Sequence, residues 1–303
     1  MSNRSLHLRH RRSPARIVFD FANTLGFLVF TFLTVFPFYY IAVYSFSTPS
    51  AAAAQGIFIL PQQFTLVNYL ELFNHTDILR PALVSISRTV IGTTVTVLAT
   101  SFFAYLTTQR KLPLRRLIFR LVVITMYVDA GLIPKYLLYG TIGITNTFLV
   151  YILPTAIIGF YLILVKTYVE SIPDSLEESA KIDGAGVVLT FARIVFPVCK
   201  PIIATVAVFA AVGQWNMWFD NFIFADTPGL KTLQKLLLDF LRDMSASQLS
   251  IEALQQGSFT VSPVSPRSIQ MAITFLVTVP IIVVYPLMQR HFTKGIMIGA
   301  VKG

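Results

Sequence analysis

Five acidic residues crowd one polar stretch of the chain: Glu170, Asp174, Glu177, Glu178 and Asp183. It is the one acidic cluster in the sequence, and no histidine or cysteine accompanies it in a metal-ligand or nucleophile-base pattern. The cluster therefore offers no nucleophile-base pair and no metal site. Two further carboxylates, Asp129 and Asp220, stand inside apolar runs. A charge there costs ~2.5–3.5 kcal/mol on insertion scales, so each is expected to face protein or water. Around Asp220 the string Trp215-Asn216-Met217-Trp218-Phe219-Asp220-Asn221 combines rings for stacking with amides and a carboxylate for hydrogen bonding. Trp215, Trp218, Phe219 and Phe222 fall at i, i+3, i+4 and i+7, one face of a helix, with Asn216 and Asp220 on the adjacent face. His7, His10, His75 and His291 share no metal-like spacing and read as solvated; His10 and its arginines suit anionic headgroups. The single cysteine, Cys199, excludes an internal disulfide and reads as an inert packed thiol.

The elements that must carry these residues are membrane helices. The chain is 55% hydrophobic and only 13% charged, with a mean hydropathy of +0.69, against about a quarter charged in a soluble domain. The N-terminal basic arm runs into an apolar stretch too long for a cleaved signal. A spanning helix needs ~20 mostly apolar residues, and six stretches qualify: Phe19 to Phe46, Thr89 to Thr108, Leu117 to Tyr136, Asn146 to Val165, Ile202 to Phe224 and Ser268 to Gln289. Gly131, Pro134 and Lys135 disturb the outer end of the third. The expected organisation is a basic arm (1–18), a first span (19–46), an outer loop (47–83), a core domain (84–289) and a tail (290–303). Within the core lie an inner loop (170–201) and an outer loop (226–267). Placing the N-terminus in the cytoplasm puts 17 of the 24 basic residues inside. The bias of Lys and Arg toward inner loops thus predicts that both termini are cytoplasmic. The net charge of +10 is then mostly topological and does not argue for nucleic acid.

The inner loop carries its own folding signals. Ser171 is placed to cap a helix with Pro173 near its first turn, acids in that turn suit the helix dipole, and Glu177 and Lys181 are spaced i to i+4. Gly184 is a natural stop. A second helix, Val187 to Val195, is expected to end before Pro197, and Pro201 to open the fifth span. The prediction is helix, glycine turn, helix, held between two spans.

The residues also resemble a family signature. Glu178-Ser179-Ala180, then Gly184, Ile194 and Pro197, are similar to the EAA loop of ABC-importer permeases, with Ser179 replacing an alanine and Phe196 a leucine. Asp183-Gly184-Ala185 looks like the sugar-importer version. The string Gly213 to Asp220 and the C-terminal Lys294 to Gly303 resemble the second, smaller permease subunit of oligosaccharide importers, including those for complex and uronate-bearing sugars. The resemblance implies an all-α type I permease fold. It implies coupling to an ATPase through Glu177, Glu178, Ser179, Ala180, Asp183, Gly184, Ala185, Ile194 and Pro197. The implied partners are a sister permease, two ATPase subunits, an extracytoplasmic sugar-binding protein and the lipid of a bacterial inner membrane. No phosphate-binding G-x-x-x-x-G-K-[ST] string is present, so ATP and Mg are expected on the partner ATPase, with no cofactor on this chain and no enzymatic activity of its own.

For an oligosaccharide, Trp215, Asn216, Trp218, Phe219, Asp220, Asn221 and Asp129 are the pathway candidates, since sugars bind through polar bonds and stacked rings. Other placements are open: aromatics of an outer belt, Asp220 bonding neighbouring helices, Asp129 paired with Lys135. In the outer loop, Leu233, Leu236, Leu237, Phe240, Leu241 and Met244 recur at helical spacing. That amphipathic helix has three readings: lying on the membrane surface, covering the cavity mouth, or contacting the binding protein. Two rival functions are an ion-coupled secondary transporter, which would use Asp129 and Asp220, and a membrane-embedded glycan enzyme, which would need a cluster of catalytic acids at an interface.

Overall fold

A computed structural model describes residues 14–54, 59–75, 77–242 and 265–300. The described residues are helical throughout, apart from turns and one isolated bridge between Ser47 and Phe64. The helices are α1 (Pro14–Ser45), α2 (Pro49–Ala54), α3 (Val67–His75), α4 (Leu79–Thr108), α5 (Arg115–Ile124), α6 (Leu132–Thr141), α7 (Gly159–Val169) and α8 (Asp174–Ile182). They continue as α9 (Val187–Val198), α10 (Lys200–Asn216), α11 (Phe219–Phe224), α12 (residues 233–242) and α13 (Pro266–Ala300).

The chain divides into two compact units. The first holds Met1–Tyr69 with Val261–Phe275. Its long helix α1 exposes large apolar side chains on nearly every turn, among them Phe21, Leu28, Phe30 and Leu33. A helix that is apolar all round wants lipid, not water. At its C-terminal end Val43, Tyr44 and Ala52 pack together with Tyr40 and Met271. There the fully buried Asn68 donates to the carbonyls of Ser45 (2.8 Å) and Ser47 (2.9 Å), fixing the chain as it leaves α1.

The second unit holds Leu70–Thr260 with Leu276–Gly303. Its core is a three-helix contact of α4, α7 and α10, in which Val97, Ala104, Tyr105, Leu162, Val165, Ile202 and Val206 bury one another. Val195 and Cys199 belong to the same core, so the end of α9 is anchored in the bundle. Cys199 is buried, as a packed thiol should be.

Three of the expected spans are not single helices. α1, α4 and residues Arg267–Val284 of α13 are long and apolar enough to cross a membrane. Residues Phe148–Thr155 and Gly159–Val169 make a fourth candidate bent by 45°, and α9 with α10 a fifth bent by 85°. The expected span Leu117 to Tyr136 is divided between α5 and α6. The cause lies in the connection: Gly131 takes a left-handed φ of +81°, its N–H bonds Asp129 Oδ1 at 2.6 Å, and Lys135 Nζ takes Oδ2 at 2.6 Å. In the expected span Asn146 to Val165, short 3-10 turns precede the break, and the freed carbonyls of Thr155 and Ala156 accept from Thr96 (2.9 Å) and Thr100 (3.2 Å) of α4. Broken helices persist at membrane depth only where the freed backbone groups find such partners. The expected span Ile202 to Phe224 stops at Asn216, with Met217 extended, and resumes at Phe219.

Candidate functional site: the inner turn and the buried ion pair

The inner turn begins differently from expectation. Ser171 does not cap a helix; its hydroxyl donates back to the Tyr168 carbonyl at 2.7 Å. α8 starts at Asp174 with Pro173 in the cap position, and Asp174 and Glu177 lie in its first turn. The stop is as expected and chemically specific. Gly184 adopts φ +78°, its N–H bonds the Lys181 carbonyl (3.1 Å), and the Ala185 N–H bonds the Ala180 carbonyl (2.9 Å). These two bonds form a Schellman motif, which needs a residue free to take positive φ.

α9 does not end before Pro197. Phe191–Val195 widen into a π turn, the Phe196 N–H bonds the Phe191 carbonyl, and the helix runs through Pro197 to Val198. The wide turn lets the helix reach a residue that has no N–H to give. The chain then bends through 85° into α10, with Pro201 in its first turn.

Of the expected coupling residues, Ala180 is buried, Glu177, Ala185 and Ile194 are half-buried, and Glu178, Ser179, Asp183, Gly184 and Pro197 are exposed. Glu177 is the anchor: Lys181 Nζ lies at 3.3 Å and Gln109 Nε2, from the end of α4, at 3.1 Å. Beside it is a groove of about 940 Å³ lined by Gln109, Arg110, Arg115, Glu177, Glu178 and Thr190. The turn also presents apolar side chains to solvent: Ile182 is 86% exposed and Val188 66%, with Leu176 and Leu189 beside them. Aliphatic tips flanked by carboxylates are what a docking surface offers, and nothing in the turn resembles a reacting constellation.

The second constellation was only half visible in the sequence. Arg88, one of the seven basic residues that the charge count leaves on the outer side, lies inside α4 and is 1% exposed. Its guanidinium forks onto Asp220, with Nη1 3.1 Å from Oδ1 and Nη2 on Oδ2. The same Nη1 donates to the Met217 carbonyl (3.0 Å), Nε donates to Gln214 Oε1 (3.1 Å), and the Tyr151 ring lies 4.4 Å from Cζ. Gln214 donates onward to the Tyr151 carbonyl (3.2 Å) and Thr155 Oγ1 (2.8 Å). Gly92 makes room: a Cβ there would stand 2.6 Å from Gln214 Nε2. One cation thus satisfies the carbonyl freed where α10 ends and, through Gln214, meets the broken segment before α7. The available signal was simple: an arginine in one apolar run and an aspartate in another each need a partner.

The remaining pathway candidates are dispersed. The helix break disproves the single face expected for Trp215, Trp218, Phe219 and Phe222. Trp215 turns its indole N–H to the Val277 carbonyl of α13 (3.1 Å). Asn221 is buried, donating to the Ala225 carbonyl (2.7 Å) and accepting from the Thr232 N–H (2.8 Å), where it positions the start of α12. Asn216 Oδ1 accepts from Gln234 at 3.4 Å. Asp129 is held by Lys135, away from Asp220's network. Trp218, Phe219 and Phe222 keep exposed ring surface. Met244 lies outside the described residues. We expect Trp215→Phe, which keeps the ring and loses the N–H bond, to lower the thermal stability of the purified protein by ~1 kcal/mol, the usual net worth of one hydrogen bond. Uptake kinetics unchanged in Trp215→Ala would make this tryptophan structural only.

Residues 92–298 match the family described as binding-protein-dependent transport system inner membrane component. The chain is 38% identical over 301 residues to Protein LplC of Bacillus subtilis (strain 168), covering 98% of this chain and 99% of that one. It is 36% identical over 279 residues to the polygalacturonan/rhamnogalacturonan transport system permease protein YtcP of the same organism, covering 92% and 96%. Its fold matches a solved bacterial ABC transporter involved in the import of the acidic polysaccharide alginate, with a TM-score of 0.79 and 24% identity over 93% of this chain and 99% of that chain.

Proposed function

We propose, from the premise that this chain belongs to the binding-protein-dependent transport system inner membrane components, that it forms half of the path through an ATP-driven oligosaccharide importer. The family is one of transport permeases, not enzymes. The observation that carries the reading is the inner turn. It is a glycine-capped helix pair with exposed aliphatic and acidic side chains, joined through Val195 and Cys199 to the core of α4, α7 and α10. A partner ATPase gripping α8 would act on the bundle itself.

In this reading six crossings, with the α5–α6 pair as the third, place both termini in the cytoplasm of a bacterial cell and the inner turn on the ATPase side. The partners are a sister permease, two ATPase subunits that bind ATP and Mg, and an extracytoplasmic sugar-binding protein. The rivals are not favoured. Asp220 and Asp129, the carboxylates an ion-coupled carrier would use, are each held by a cation. The acids of the inner turn are spread along a helix rather than paired across a substrate.

The test is assembly. Expressed with its sister permease, the chain should co-purify with an ATPase whose hydrolysis rises when binding protein and an oligosaccharide are added. A chain that purifies alone and transports sugar on an ion gradient would refute the reading. Deleting residues 232–244 should weaken that stimulation if α12 guards the path or meets the binding protein; unchanged stimulation would leave α12 a surface helix.

A further inference from the structure

The start of α5 carries more positive charge than its surroundings balance. Its first turn holds Arg115 and Arg116, with no acid and no capping side chain. Cations there oppose the positive end of the helix dipole, so the turn favours an anion. The basic residues around this corner are not equivalent. Arg115 is half-buried and donates to the Thr108 carbonyl at 2.8 Å, which fastens α5 to the end of α4. Arg110 lies 3.5 Å from Asp174 of α8, while Lys166 of α7 bonds Glu170 and stacks over the Phe119 ring. Lys111, Arg116 and Arg120 are exposed, and no carboxylate pairs with them among the described residues.

These three cations stand beside apolar surface. Phe119 and Val122 turn one face of α5 onto the core of α4, α7 and α10. The opposite face carries Arg116 and Arg120, one turn apart, and then Leu117, Leu121 and Ile124, all exposed. Leu114, at φ +55°, is 70% exposed at the same corner. The face begins where the apolar run of α4 ends at Thr108, so it crosses the boundary between water and hydrocarbon. Arginines at that depth lay their stems on apolar surface and reach phosphate with their heads. A soluble anion, or an acidic protein surface, would use the cations and leave the leucines bare. A phospholipid uses both, its phosphate on the guanidinium forks and its acyl chain on the leucine stripe.

We propose that Arg116 and Arg120, with Lys111, form a site for the headgroup of an anionic phospholipid, whose acyl chain lies along Leu117, Leu121 and Ile124. The lipid belongs to the leaflet on the side of the inner turn, because the same corner is tied to α8: Gln109 donates to Glu177 at 3.1 Å and Arg110 meets Asp174. A lipid held there steadies the end of α4 against which the inner turn rests, and uptake depends on it. That last step rests on the import function above; the site itself does not.

The experiment reconstitutes the assembled complex with phosphatidylcholine and phosphatidylglycerol, extracts it again in mild detergent and counts the retained lipids by mass spectrometry. Wild type should keep phosphatidylglycerol in preference to phosphatidylcholine. Arg116→Gln with Arg120→Gln, both exposed, should fold normally and lose that preference roughly tenfold, as expected for two charges at an anionic surface. Arg193→Gln with Lys200→Gln removes the same charge from the exposed inner turn and should keep the preference. Equal retention by wild type and the α5 variant, or equal loss by the two variants, would overturn the site. An α5 variant that keeps its lipid but sheds its partner subunits would also overturn it, in favour of a protein contact. Displacement of the lipid by inorganic phosphate at low concentration would overturn it in favour of a soluble anion. Sugar uptake in liposomes tests the second step: adding phosphatidylglycerol to phosphatidylcholine should raise uptake several-fold in wild type and not in the α5 variant. Uptake indifferent to phosphatidylglycerol would overturn that dependence; lipid retained with no uptake under any condition would overturn the import reading and leave the site standing.

Discussion

Gly184→Pro and Glu178→Lys should abolish oligosaccharide uptake in cells that still insert the chain at normal levels. Gly184 sits at φ +78° and donates its N–H to Lys181. Proline is confined near φ −65° and has no N–H, so the Schellman motif cannot form and α8 must end elsewhere. Gly184→Ala keeps the N–H and carries only the left-handed penalty, about 1–2 kcal/mol, so it should be partly active; Gly184→Asn, more at ease there, should do better. Glu178 works differently. It is exposed and bonds no other side chain among the described residues, so reversing its charge should not touch folding. It should instead lower the amount of ATPase that co-purifies. Normal sugar uptake by either variant would remove the inner turn from the coupling path.

The second large effect belongs to Arg88. Arg88→Ala leaves Asp220 without its cation, the Met217 carbonyl without its donor and Gln214 without one partner. Breaking one half of a buried pair typically costs about 3–5 kcal/mol. For a chain of ordinary marginal stability, about 5–15 kcal/mol, that is a large fraction of the whole. Asp220→Asn should be nearly as damaging, since it strands the guanidinium. The double variant Arg88→Met with Asp220→Leu removes both charges and should recover much of the folded protein, because two buried ions are replaced by apolar volume. Thermal unfolding in detergent of wild type, Arg88→Met, Asp220→Leu and the double variant forms the cycle. If the double variant loses the sum of the two singles, the pair is not coupled and the hub is wrongly drawn.

The residues separate what could be read in sequence from what could not. Gly184 was legible because helix stops are local: a glycine after a charged, amphipathic turn has few other uses. The spans of α1, α4 and α13 were legible because length and apolarity alone define them. The break at Met217 was not. Local propensity continues a helix through Trp215 to Phe224, and what ends it is a cation arriving from α4, more than a hundred positions away. Arg88 itself was misread because a charge count treats every arginine near an apolar run as a topology signal, while only tertiary contact reveals that this one is buried. The π turn before Pro197 shows the same limit: the proline was visible, but the accommodation is made by the five residues ahead of it.

The 85° elbow between α9 and α10 has a mechanical consequence. A displacement along the axis of α9 arrives at α10 almost at right angles, so little of it runs along α10's own length. Under the proposed coupling, a push on α9 would swing α10 sideways rather than drive it as a piston, and α4 and α7, which share a core with both sides of the elbow, would swing with it as a rocker of three helices.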